Sequence, residues 1–190
     1  MEQIRIHGRG GQGVVAMAEI LAIAFHNNGQ VAQAFPHFGV ERSGAPIQSF
    51  VRISNQEIST REHVYEPDFL IILDDSLIGR TDLFVGLKKG TKIIINSSLE
   101  LNELARKINQ ESKIKVDIKN IFPVEASEIA LEIFGKNMVN TIMLGALTNI
   151  PGLIKIDSVK KAVQEKFSEK GLEIIEKNFL AIDRIIKNKK

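Results

Sequence analysis

A glycine-rich turn set between an alternating run and a helical run constrains this chain more than any other stretch. It reads Gln3-Ile-Arg-Ile-His-Gly-Arg-Gly-Gly-Gln-Gly-Val-Val-Ala and continues to Gly29. Ile4 and Ile6 alternate with polar residues, which predicts a short strand. Glycines follow at 8, 10, 11 and 13. From about Gln12 to Asn28, Val15, Ala16, Ile20, Ile23 and Ala24 fall on one helical face, and Gly29 is placed to end that helix. Gly8, Gly10 and Gly13 fit G-x-G-x-x-G between strand and helix. That spacing permits a tight turn, a close approach of phosphate to the backbone, and close packing of helix on strand. Free N–H groups at the helix start would favour an anion. A nicotinamide or flavin site also wants an acid at the end of the next strand. That strand, about Gln30–Ala34, has Gln33 there and no acid. Close packing alone, or contact with another phosphate-bearing or extended ligand, remain as readings of the glycines.

The rest of the chain predicts an α/β fold: a Rossmann-like, mostly parallel but mixed sheet with flanking helices and a helical C-terminal third. Phe35-Pro-His-Phe-Gly-Val-Glu-Arg-Ser-Gly-Ala-Pro46 reads as an irregular, function-bearing loop. Ile47–Ser54 and Glu57–Thr60 suggest a β-hairpin. After Pro67, the run Asp68-Phe-Leu-Ile-Ile-Leu73 predicts a buried central strand. Asp74 and Asp75 follow at its carboxyl end, where they suit a metal, a base or, more commonly, a helix cap through Asp75 or Ser76. Further strands are expected at Thr91–Asn96 and Ile114–Ile118. Helices are expected at Leu99–Glu111, from Pro123 to about Phe134, at Asn137–Asn149, at Val159–Glu169 behind a cap at Asp157 or Ser158, and at Leu172–Lys187. Gly145 inside the Asn137–Asn149 helix points to close packing.

Composition narrows the classes of function. With 190 residues, one α/β domain over 1–190 is expected. A net charge of +2, with lysines spread apart from a short tail at Lys187, Lys189 and Lys190, gives no basis for nucleic-acid binding. The absence of cysteine excludes disulfides and cysteine-ligated iron–sulfur or zinc sites in this chain. A strand at the start leaves no room for a signal peptide, and no apolar run reaches membrane-spanning length, so a cytoplasmic location is expected. There is no G-x-S-x-G or Walker loop. His7, His26, His37 and His63 are not at metal-ligand spacings, although His7 and His37 flank the two glycine-bearing loops.

Taken together, Gly8-Arg-Gly-Gly-Gln-Gly13 and the Phe35–Pro46 loop, followed by Val51-Arg-Ile-Ser54, resemble the gamma subunit of 2-oxoacid:ferredoxin oxidoreductases. Pro67-Asp68 and Ala130–Leu147, with Gly135, Asn140 and Gly145, match as well. The Phe-Gly-Val-Glu-Arg loop looks most like the pyruvate branch; the 2-oxoglutarate branch usually carries Tyr-Gly-Pro-Glu. Ser43 departs from the Arg or Gly expected at its position. The resemblance implies a complex that oxidatively decarboxylates a 2-oxoacid, forms an acyl-coenzyme A and reduces ferredoxin. Thiamine diphosphate, magnesium and iron–sulfur clusters would sit in partner alpha, beta and delta (ferredoxin-like) subunits, and this chain would hold no redox centre. It would pack on the thiamine-binding core and help accommodate coenzyme A. The expected contact set is Gly8, Arg9, Gly10, Gly11, Gln12, Gly13, Arg42, Ser43 and Gly44, with no catalytic residue. A free-standing nucleotide-binding enzyme, a purely structural subunit, or a 2-oxoisovalerate- or 2-oxoglutarate-specific member of the family are the alternatives.

Overall fold

The computed structural model describes residues 1–37, 44–80 and 82–188. Six strands form one sheet in the order β2 (Val31–His37), β3 (Pro46–Ser54), β1 (Glu2–Arg9), β4 (Phe69–Ile72), β5 (Lys92–Asn96), β6 (Ile121–Val124). β1, β4, β5 and β6 run parallel, while β3 is antiparallel to both of its neighbours, so the sheet is mixed. All four residues of β4 are buried between β1 and β5. This is the place an unbroken apolar run needs, because helices cover both faces of a parallel ladder.

Several expectations are corrected. The hairpin between Ile47–Ser54 and Glu57–Thr60 does not form: residues 57–60 carry no strand, and β3 pairs with β2, with Val31 opposite Ser54 and His37 opposite Gln48. Both edges of β3 are then used, and Phe35 packs on Phe50 with ring centroids 5.2 Å apart. Phe35-Pro36-His37 belongs to β2 rather than to the loop, since an edge strand tolerates proline. The expected strand at 114–118 is replaced by β6, and Pro123 lies within it instead of starting a helix. The Val124 carbonyl accepts from the Ser97 N–H, so alternation turns Pro123 to the open edge, where a missing donor costs nothing and the edge is blunted.

Side-chain alternation on the strands separates two cores. Ile4, Ile6, Val51 and Ile53 face α1 (Val14–Asn27), α3 (Ala126–Phe134), α4 (Asn140–Leu147), α5 (Ile156–Lys166) and α6 (Leu172–Lys187). Leu70, Ile72, Ile93 and Ile95 face α2 (Leu101–Glu111) and the connection carrying Leu77, Leu83, Phe84 and Leu87. Gly29, at φ +84, ends α1, with its N–H on the His26 carbonyl and the Gln30 N–H on the Phe25 carbonyl, a Schellman arrangement. A Cβ on Gly145 would lie 3.2 Å from the Ile182 backbone, which explains a glycine where α4 crosses α6. α5 starts earlier than expected, with Lys155 at its N-cap instead of Asp157 or Ser158.

Arg5 on β1 and Arg52 on β3 are also buried. Arg5 donates to the carbonyls of Val64 (3.4 Å), Tyr65 (3.3 Å), Leu83 (2.7 Å) and Val85 (2.8 Å). Arg52, 2% exposed, donates to Glu62 O (2.5 Å), His63 O (3.3 Å) and Gln3 Oε1 (3.2 Å). Burial lowers the Arg5 guanidinium to about 10. It lowers Arg52 as well, with Glu62 opposing. Each arginine fixes a segment without regular structure to the sheet by satisfying its carbonyls. No helix among the described residues is long and apolar enough to cross a membrane.

Candidate functional site

The chain leaves β1 through α1 on one face, and leaves β4 through residues packed on the other. The strand order therefore reverses between β1 and β4, and their carboxyl ends flank the crevice where open α/β sheets hold ligands. The glycine loop after β1, Gly44–Ala45 before β3, and Asp74–Ser76 after β4 meet there.

The glycines divide the work. A Cβ on Gly8 would lie 2.6 Å from Val14 Cγ2 and 3.1 Å from Leu73 Cβ, so Gly8 lets α1 close on the sheet. Gly13, at φ +82, is the N-cap of α1, which begins at Val14 rather than Gln12; a Cβ there would meet Asn140 Nδ2 at 2.6 Å. Gly10 and the Gly44 segment form a main-chain bridge: Gly10 N–H donates to Ala45 O (2.9 Å) and Gly44 N–H to Gly10 O (3.2 Å). Gly11 is different. It is exposed, sits at φ +97, and a Cβ there would meet no atom within 4 Å.

Side chains lock the loop from below. Buried Gln12 accepts from the Arg9 N–H (2.8 Å) and donates through Nε2 to Asp74 Oδ2 (2.9 Å). Arg9 donates to Ser76 Oγ from Nη2 (2.8 Å) and Nε (3.2 Å), and to Gly44 O from Nη1 (3.1 Å). Its Nε lies 3.3 Å from Asp74 Oδ2. Burial alone would raise the Asp74 carboxyl. Hydrogen bonds from the Ser76 side chain and backbone and from Gln12, together with the Arg9 charge, outweigh it and hold the carboxyl below its ordinary range. The cap at the end of β4 is Asp74, not Asp75 or Ser76, and the element it caps is the 3₁₀ turn Asp75–Leu77.

Gly8, Arg9, Gly10, Gly11, Gln12, Gly13 and Gly44 are thus brought to one place; Arg42 and Ser43 lie outside the described residues. Asp74 and Ser76 were not foreseen as partners of the loop. Their signal was the acid pair at the end of the central strand, but nothing local ties it to an arginine 65 residues earlier. The missing acid of a dinucleotide site has a structural counterpart. β3 separates β2 from β1, which moves the end of the second strand to about 10 Å from the first. His7 lies buried on β1, and burial, then the Arg5 charge, pushes its imidazole down to about 3. His37 Nδ1 and His63 Nε2 are 3.1 Å apart and exposed. Among the described residues no group of three or more acids or histidines could hold a metal ion.

A mixed doubly wound sheet with a glycine loop at its switch point defines the class, and comparisons define the family. The pyruvate ferredoxin/flavodoxin oxidoreductase family model matches residues 3–187. The chain is 42% identical over 184 residues to the pyruvate/ketoisovalerate oxidoreductases common subunit gamma of Thermococcus kodakarensis, covering 94% of this chain and 96% of that one. It is 43% identical over 170 residues to the pyruvate synthase subunit PorC of Methanothermobacter thermautotrophicus, covering 90% and 87%. The crystal structure of the pyruvate oxidoreductase subunit PORC of Thermotoga maritima superposes with a TM-score of 0.78 at 28% identity, over 98% of this chain and 95% of that one. A 2-oxoglutarate:ferredoxin oxidoreductase of Magnetococcus marinus, solved with 2-oxoglutarate, coenzyme A and succinyl-CoA bound, shares the fold over 31% of its length, with a TM-score of 0.72 at 22% identity. The chain belongs to the pyruvate ferredoxin/flavodoxin oxidoreductase family, among its gamma subunits.

Proposed function

We propose that the chain works as one subunit of a pyruvate (2-oxoacid):ferredoxin oxidoreductase, in which pyruvate is oxidatively decarboxylated, acetyl-coenzyme A forms and ferredoxin is reduced. Similarity to gamma subunits along nearly the whole chain supports this reading. Partner alpha, beta and delta subunits would hold thiamine diphosphate, magnesium and the clusters, for which this chain offers no thiolate. Alone, it would be inactive. Because the Thermococcus relative is named as common to pyruvate and ketoisovalerate oxidoreductases, service to a 2-oxoisovalerate complex is the second reading.

Within that complex the switch-point loop would face coenzyme A, with Arg42 and Ser43 of the adjoining segment completing the contact set. Gly11 carries this part of the proposal. Gly8 and Gly13 are filled from beneath by the chain itself, whereas Gly11 offers an open backbone vertex beside a guanidinium and a helix start. A phosphate arriving there would share Arg9 with Asp74. Arg9→Gln should therefore raise the Michaelis constant for coenzyme A, and Asp74→Asn should lower it, each by on the order of threefold to tenfold. Both variants should lose some thermal stability. Steady-state kinetics of the assembled enzyme, read beside melting curves, decides the matter. Lowered melting temperatures with both constants unchanged would leave the loop a packing device.

A further inference from the structure

Two cavities join across the carboxyl ends of β4, β5 and β6. The larger, about 800 Å³, runs past the open edge of β6 between the start of α2 and the helices α4 and α6. The smaller, about 240 Å³, continues it to Asp74 and Asp75, and the two share Ser97, Ser98, Glu125 and Glu128. Their combined lining is one-sided in charge. In a chain with 25 Lys and Arg against 23 Asp and Glu, it contains the carboxylates of Asp75, Glu100, Glu125 and Glu128, beside an Asp74 that Arg9 already neutralises from outside the groove, and, among the described residues, the lining itself has no Lys, Arg or His. The far half is aliphatic: Ile121, Ile129, Ile150 and Ile185 form its floor, and Leu101, 37% exposed, stands at its mouth. The acidic end is braced. Asn96 donates to Leu73 O (3.0 Å) and Ser127 Oγ (2.9 Å) and accepts from the Ala126 N–H (3.0 Å), while Ser97 donates to Asp75 Oδ2 (2.6 Å).

We propose that this groove receives a segment of another subunit, one that sets a Lys among the carboxylates and aliphatic or aromatic side chains over the isoleucines. Charge complementarity selects that occupant. An anionic metabolite would be repelled, a bare cation would leave the apolar half unused, and a neutral apolar molecule would use only the aliphatic half. A basic residue followed by apolar anchors satisfies both halves, as interface hot spots do. The inference rests on the chain being one subunit of a complex and is independent of where coenzyme A lies.

Carbodiimide joins a carboxylate to a lysine in direct contact with it, so it is the probe. In the native complex, Glu100 or Glu128 should be recovered linked to a lysine of a different subunit. In co-expressed complex, Glu100→Lys combined with Glu128→Lys should cut retention of this chain on the order of tenfold at about 0.1 M salt. Glu176→Lys, on the exposed side of α6, should leave retention unchanged. Links only to a second copy of this chain, or a groove variant retained like the wild type, would overturn the proposal. If the native chain proves to have no partner, the subunit reading falls with it. If the complex forms and reduces ferredoxin while the groove variant stays bound, this inference alone falls.

Discussion

Replacing Gly86 by alanine should cost roughly 3 kcal/mol or more, enough to unfold much of the population of a marginally stable domain. Gly86 has φ +75, and a Cβ there would lie 1.9 Å from the Tyr65 carbonyl oxygen and 3.0 Å from its carbon. The obstacle is backbone, so no rotamer change relieves it. Nor can the backbone retreat cheaply, because the same Tyr65 carbonyl accepts from Arg5, which also holds Val85 next to Gly86. Gly29→Ala is the matched control. It shares a positive φ of 84 but meets nothing within 4 Å, so only the left-handed strain of about 1 kcal/mol should appear. Denaturant midpoints of the two variants measure the difference. Equal losses would mean that the 65–66 segment yields freely and that Arg5 does not pin it.

Acid should destabilise the fold well before its carboxylates titrate. His7 takes up a proton near 6.5 when unfolded but only near 3 in the fold, because burial and the Arg5 charge oppose it. Above pH 6.5 neither state is charged there and the group is neutral in its effect. Below 6.5 the unfolded chain binds a proton that the fold refuses, so stability falls as pH falls, by about 1.4 kcal/mol per unit, until the folded value is reached. By pH 4.5 the loss should approach about 3 kcal/mol. The Asp74 contribution, present above the unfolded carboxylate value and lost as pH falls through a lower folded one, enters only in stronger acid. The His7 Nε2 atom has no hydrogen-bond partner among the described residues, so His7→Phe should remove the slope between pH 6.5 and 4.5 without stranding a partner for that atom. An unchanged slope in that variant, read from urea midpoints against pH, would show that His7 opens to solvent.

What the sequence disclosed was local or periodic. The strand–glycine–helix unit, the buried run of β4, the bounds of α6 at Leu172–Lys187 and the close approach at Gly145 come from spacing that neighbouring residues share. What it hid was pairing at a distance. Insertion of β3 between β2 and β1 depends on a register set 37 to 51 residues away, with Ile4 opposite Val51. An alternating Arg5 looks solvent-facing until Val64, Tyr65, Leu83 and Val85 arrive with carbonyls to satisfy. Pro123 resembles a helix start because its φ suits both a first turn and an edge strand. The glycine loop was legible as a loop, but its charge balance was not: Asp74 already answers Arg9, which makes the crevice far less cationic than Gly8–Gly13 suggests.

The most direct measurement is ferredoxin reduction driven by pyruvate and coenzyme A, with the partner subunits co-expressed with and without this chain. With it, reduction should proceed and a stable complex containing the chain should be recovered. Without it, turnover should collapse and return when the purified chain is added back. Partner subunits that assemble and reduce ferredoxin at an undiminished rate in its absence would contradict the role assigned to it.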